Sequence, residues 1–207
     1  MRKRKELFKF SLTAIFAAVA IVLELIITFV PGLNLEMPFS GRVFGISMLP
    51  IILLSFLCGI KYGLIGGGIY ATTNILLSLN QVLGWGLTPQ AVVGTIFLDY
   101  AIPFTLLGLA GIFKNGMKDK KEFVYGTLMV CGIRYISHVI SGVVVFASFT
   151  PEGTNMWVHT FILYNLPYMA SSTALCIIVG LLVINPISAY LKLDDQQLLG
   201  NQDEDSN

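Results

Sequence analysis

Four polar side chains interrupt long apolar runs: Glu24, Asp99, His138 and Asn165. Carboxylates only accept hydrogen bonds when ionised, whereas an imidazole or an amide can both donate and accept. Ionisable groups in hydrocarbon are expensive, so by default they face a protein interior and carry function. Aromatic residues accompany them. Tyr100 adjoins Asp99, Tyr164 adjoins Asn165, and Phe146 lies two turns beyond His138. Such a set suits a flat, nitrogen-rich, cationic ligand. A carboxylate would pair with a ring amine or a positive charge, and the rings would stack or make cation–π contacts.

Plainer roles are open for some of these residues. His138 alone could be a hydrogen-bonded core residue, and Glu24 could snorkel to the outer interface. Trp85 and Trp157 could be interfacial belt residues. Arg134, one turn from His138, fits the floor of a pocket or a carboxylate partner better than a ligand contact. No catalytic set stands out, with neither a Gly-rich phosphate loop nor an HExxH motif. Transport against a gradient would then need an energy source in another protein. No cofactor, metal or nucleic-acid partner is expected. Cys58, Cys131 and Cys176 lack metal-ligand spacing and read as small core residues.

The elements that position these groups are membrane helices. The chain of 207 residues is 55% hydrophobic and 12% charged, with a mean hydropathy of +0.77. A soluble domain carries about 25% charged residues. The fold class is therefore an all-α integral membrane bundle, spanning 1–193, with an acidic tail at 194–207 expected to be disordered. Six helices near the roughly 20-residue crossing length fit. They are Phe8–Val30, Val43–Leu57, Leu64–Leu79, Ala91–Phe113, Phe123–Phe149 and Met156–Leu191. Phe8–Val30 is too long for a signal-peptide core and reads as a retained helix. Pro50 is expected to kink the second helix or leave it short. Pro167 and Pro186 are expected to kink the sixth.

Basic residues set the orientation. Arg2, Lys3, Arg4, Lys5, Lys9, Lys61, Lys114, Lys118, Lys120, Lys121 and Lys192 fall on one side of a six-crossing chain. Arg42 lies on the other side and Arg134 within a helix. The positive-inside rule makes the first side cytoplasmic, with both termini on it. From the outer helix ends, a rise of about 1.5 Å per residue puts Glu24 roughly 9 Å deep, Asp99 12 Å, Asn165 14 Å and His138 16 Å. Groups from separate helices at such similar depths point to one outward-opening pocket.

Small residues mark two helix faces. Gly63-x-x-x-Gly67 in the third helix reads as internal close packing. Ala14-x-x-x-Ala18 in the first fits internal packing or the docking of a partner protein.

The stretch from Glu36 to Asn165 resembles the thiamine-specific substrate-binding (S) components of energy-coupling factor transporters. The motifs are MPFSGRVFGISMLPIILLSF (Met37–Phe56), FLDYAIPFTLLGLAGIF (Phe97–Phe113), RYISHVISGVVVF (Arg134–Phe146) and the Tyr164-Asn165 pair. The resemblance implies a membrane-embedded subunit that captures thiamine from outside. It implies docking, by the Ala14 and Ala18 face, onto a transmembrane coupling protein with two ATPase subunits that use the ATP. It also implies binding roles for Asp99 (a position where the family often has Glu), Tyr100, His138 and Asn165. Some members have a tryptophan before the second helix, where this chain reads Gly41-Arg42. Phe146 replaces a stacking tryptophan, and a family tyrosine aligns with His159 or Thr160. These departures leave open a different vitamin or pyrimidine-like ligand. A further alternative is a non-transport protein whose polar residues only hold helices together.

Overall fold

The computed structural model describes residues 2–37, 39 and 41–204, with side chains over 3–37, 39 and 41–191. Six helices form one bundle. They are α1 (Arg2–Phe29), α2 (Ile46–Cys58), α3 (Ile60–Gly84), α4 (Pro89–Ile112), α5 (Lys120–Val144) and α6 (Met156–Leu191). A small antiparallel hairpin joins α1 to α2. Its strands β1 (Glu36–Met37) and β2 (Gly41–Arg42) pair Glu36 with Arg42. The last helix runs on as backbone to Glu204, into the stretch read from sequence as an unstructured tail. Extending an existing helix avoids the nucleation cost that an isolated acidic segment would face. Residues 205–207 lie outside the described residues.

Helices α1, α4, α5 and α6 are each long and apolar enough to cross a bilayer. Burial differs along the bundle in a way that composition explains. Helix α2 is apolar on every side, and Leu49–Phe56 is buried throughout, as an all-round apolar helix in the interior should be. Helix α1 buries one stripe only: Thr13, Ala17, Ala20, Glu24 and Ile27. Its other face exposes Phe10, Ile15, Val19, Val22 and Ile26, which suits contact with lipid.

Three boundaries differ from the sequence reading. Pro50 sits in the first turn of the regular α-helix Leu49–Cys58, where its missing N–H costs nothing, so it starts that helix rather than kinking it. Helix α3 is longer at both ends than Leu64–Leu79. It begins directly after Gly59, whose φ of 90° turns the chain out of α2. Helix α5 stops at Val144, and a short 3-10 turn over Ala147–Phe149 follows.

The glycines of α3 are packing residues, as their spacing implied. A Cβ on Gly67 would lie 2.7 Å from the Phe104 carbonyl oxygen, and one on Gly108 only 2.3 Å from the Gly63 carbonyl carbon. Ser55 on α2 locks the same junction. Its Oγ donates to the Gly108 carbonyl at 2.5 Å and accepts from the Gly111 N–H at 2.6 Å. Gly108→Ala should therefore force backbones apart and cost about 1–3 kcal/mol, the range for overpacking. Gly68→Ala meets nothing within 4 Å and should gain up to about 1 kcal/mol from helix propensity. Thermal unfolding of the two variants in detergent checks the contrast.

Ala14 and Ala18 are exposed, whereas Ala17 and Ala20 beside them are buried. The two small-residue sets are thus separate in use. Gly63 and Gly67 pack internally, and Ala14 and Ala18 present a flat stripe on the outside of the bundle.

Candidate ligand-binding site

A cavity of about 270 Å³ opens among the helices. It is lined by Glu24 from α1, Asp99 and Tyr100 from α4, and His138 from α5. Phe146 follows α5, and His159, Tyr164 and Asn165 come from α6. All eight residues picked out as ligand contacts therefore share one space.

Local helix geometry presents two groups of them. Helix α4 widens to a π-helix over Ile96–Ala101, and α6 does so over His159–Asn165. Each widening is followed two residues later by a proline, Pro103 or Pro167. A proline lacks the N–H that the carbonyl four residues earlier would receive, and its ring crowds that carbonyl. The wider turn relieves the conflict. It also carries Asp99 and Tyr100 in one case, and His159, Tyr164 and Asn165 in the other. π-Helical segments are frequent at functional sites.

Asp99 is held from α5. Its Oδ1 is 2.9 Å from His138 Nδ1, and its Oδ2 accepts from Ser141 Oγ at 2.5 Å. Ser137 on the same face donates to the Leu98 carbonyl at 2.6 Å. His138 Nε2 in turn accepts from Arg134 Nε at 3.2 Å. Asn165 is 2% exposed. Its Nδ2 donates to the Thr160 carbonyl at 2.8 Å, and its Oδ1 accepts from Tyr168 Oη at 2.6 Å. One amide hydrogen and one lone pair stay available to a ligand, by count of its donors and acceptors.

Glu24 does not snorkel outward. It is 8% exposed and belongs to a second polar centre. Arg42 Nη1 donates to its Oε1 at 2.5 Å, Tyr70 Oη donates to Oε2 at 2.8 Å, and Ser47 Oγ also donates to Oε2. Arg42 Nε reaches Glu36 at 3.0 Å. Arg42 thereby ties the hairpin to α1.

An aromatic cluster borders the cavity beside the hairpin. Phe39 packs on Phe149, Phe146 and Trp85 with ring centroids 4.8, 5.2 and 5.6 Å away. Trp85 therefore lines the cavity rather than serving as a belt residue. Trp157 is 58% exposed, as a belt residue would be. A Cβ on Gly41 would come within 2.9 Å of the Tyr168 ring, so this chain has Tyr168 where a side chain at position 41 would have to go.

Sequence reasoning missed Phe39, Arg42, Ser47, Tyr70, Phe149 and Tyr168, all of which line the cavity. Arg42 had a usable signal, as the single cation placed on the outer side. The prolines after the π turns were a second. Tyr70, Phe149 and Tyr168 gave none, because a ring in or beside an apolar run looks like core.

The family model described as thiamine transporter protein (Thia_YuaJ) matches residues 10–191. The chain belongs to the thiamine transporter family. It is 35% identical over 204 residues to the thiamine transporter ThiT of Bacillus subtilis, covering 94% of this chain and 99% of that one. It is 26% identical to ThiT of Lacticaseibacillus paracasei over 193 residues, covering 88% and 90%. A solved structure of ThiT from Listeria monocytogenes shares the fold, with a TM-score of 0.62 at 20% identity, over 91% of this chain and 98% of that one. This family membership and the apolar helices make the chain a multi-pass protein of the cell membrane, as its composition implied. The family is one of transport proteins, not of enzymes.

Proposed function

We propose that the chain is the substrate-binding S component of an ATP-driven vitamin importer, and that its ligand is thiamine. Asp99 and Asn165 hydrogen-bond the aminopyrimidine, His138 and Phe146 stack on the rings, and Tyr100 bonds the ligand or closes the pocket. The single observation that carries this reading is the convergence of Asp99, His138 and Asn165 with Tyr100, Tyr164 and Phe146 in one cavity, in a chain of the thiamine transporter family. The electrostatics agree with a cationic ligand. Glu24 and Glu36 both pair with Arg42, whereas Asp99 pairs with His138. With Arg134 also counted, these three carboxylates outnumber the two arginines by one, and Asp99 is the one placed to balance a thiazolium charge.

Calorimetric titration of the purified protein with thiamine, beside a panel of other vitamins and pyrimidines, tests the ligand. Preference for another member of the panel would reassign it, and no binding at all would favour a purely structural role for the polar residues.

Coupling is a separate proposal. The exposed Ala14 and Ala18 stripe on α1 is the docking face for the transmembrane coupling protein, which works with two ATPase subunits. Small faces let helices approach closely in lipid. Ala14→Leu with Ala18→Leu should leave thiamine affinity unchanged, because neither side chain lines the cavity. The same variant should lose ATP-dependent uptake in cells or in reconstituted vesicles. Full uptake would exclude this face as the contact.

A further inference from the structure

The imidazole that bonds Asp99 is itself gripped from behind. Arg134 lies one turn before His138 on α5 and directs its Nε–H at His138 Nε2, 3.2 Å away. A guanidinium can only donate hydrogen bonds. Nε2 must therefore present a lone pair, and the ring proton of the neutral imidazole sits on Nδ1. That N–H faces Asp99 Oδ1 at 2.9 Å, while Ser141 Oγ donates to Oδ2 at 2.5 Å. Every proton in the relay then points towards the carboxylate.

Arg134 has an unusual setting for a buried cation. It is 9% exposed. Its Nη1 contacts Met48 Sδ at 3.0 Å, and its guanidinium carbon lies 4.8 Å over the Phe104 ring. Among the described residues, no carboxylate lies within ion-pair distance of it. Its partners are a thioether, an aromatic face and one imidazole nitrogen. Burying a charge among such groups is costly, and the one strong acceptor it finds is His138. The other groups facing His138 are Asp99 on α4 and the Tyr168 ring on α6, with centroids 6.1 Å apart in the latter case.

We propose that Arg134 is a positioning residue for ligand binding: it fixes His138 as the Nδ1–H tautomer, and through that ring holds Asp99 as an acceptor-only carboxylate facing the cavity. With the opposite tautomer, a lone pair on Nδ1 would face the Asp99 oxygen, and the carboxylate would swing away or take up a proton. Either outcome removes the acceptor that reads the ligand's amine. The role of Asp99 as a ligand contact rests on the function proposed above, whereas the tautomer of His138 does not.

Long-range 1H–15N correlation on the full chain in detergent, without ligand, reads the ring nitrogens directly. The chain has only two histidines, so a His159→Gln sample assigns His138. The expected spectrum shows a protonated Nδ1 and a lone-pair Nε2. Arg134→Met should lose that fixed pattern and mix the tautomers. Arg134→Lys, which keeps a cationic donor, should restore it at least in part. Thiamine affinity should follow, weakened about ten- to a hundredfold in Arg134→Met and largely recovered in Arg134→Lys. An Nε2–H or doubly protonated ring in the unmodified protein overturns the proposal, and that spectrum requires no variant to fold. An unchanged Nδ1–H pattern in a folded Arg134→Met protein overturns it too. The expected spectra without any thiamine binding would support the tautomer and count against thiamine as the ligand.

Discussion

Asp99→Ala is expected to weaken thiamine binding about 10²–10³-fold, the largest effect of any single substitution in the site. The carboxylate accepts from His138 and Ser141 and still has lone pairs for a ligand donor. In the proposed pose, truncation removes the ligand's acceptor and its counter-charge together. It also leaves the His138 and Ser141 donors without their acceptor, and each hydrogen bond to a charged group is worth about 1.5–3 kcal/mol. Asp99→Asn should fall between, because the amide oxygen can replace one carboxylate oxygen while the NH2 confronts a donor. Asp99→Glu keeps the carboxylate and should stay within about tenfold of the unmodified protein. Titration calorimetry measures all three, with thermal unfolding to show that each variant is folded. Near-normal thiamine binding by a folded Asp99→Ala protein would remove Asp99 from the site and with it the proposed pose.

The site was legible where polarity contrasted with its surroundings. Asp99, His138 and Asn165 stood out because each is unusual in an apolar run, and a simple rise per residue placed them at similar depth. Tyr70 and Tyr168 sit in runs just as apolar, yet their hydroxyls serve Glu24 and Asn165. An aromatic ring is an ordinary core residue, so nothing in its neighbours separates the two uses. Phe39 was hidden for another reason. It lies in a connection, at a positive φ of 62°, and its value comes from where the hairpin carries it. Single-chain hydropathy has no information about that.

The helices were legible as spans and poorly legible at their ends. Leu64–Leu79 was bounded by glycines at one end and by uncharged polar residues at the other. Helix propagation adds a backbone hydrogen bond per residue, and it continued through both signals to give Ile60–Gly84. Gly63, Gly66 and Gly67 are buried there. Their helix-weakening tendency is outweighed by the close approach of α2 and α4, which only a missing Cβ permits. The π turns show the converse. Pro103 and Pro167 were visible in the sequence, but a proline is compatible with a kink, a start or a widened turn. The surrounding contacts select among them.

Arg42→Met should be more damaging to the fold than Glu24→Gln, although the two residues form one ion pair. Arg42 has two carboxylate partners, Glu24 at 2.5 Å and Glu36 at 3.0 Å. Removing the charge of Glu24 leaves Arg42 paired with Glu36 at the edge of the hairpin. Removing Arg42 leaves Glu24 inside the bundle with only the hydroxyls of Ser47 and Tyr70. The Arg42 and Glu24 side chains are 17% and 11% exposed, so water compensates little. Stranding one member of a buried pair costs about 3–5 kcal/mol, which is the expectation for Arg42→Met, against about 1–2 kcal/mol for Glu24→Gln as a lost charged hydrogen bond. The double variant should be less destabilised than the sum, because the one carboxylate then left without its arginine is the exposed Glu36 and none is stranded inside the bundle, with a coupling of about 1–3 kcal/mol. Thermal unfolding in detergent across the four proteins of this cycle measures it. Thiamine affinity should fall further in Arg42→Met than in Glu24→Gln, since Arg42 also holds the hairpin that carries Phe39 to Trp85 and Phe146. Equal and additive losses would mean that the hairpin is held by its aromatic packing and not by this charge.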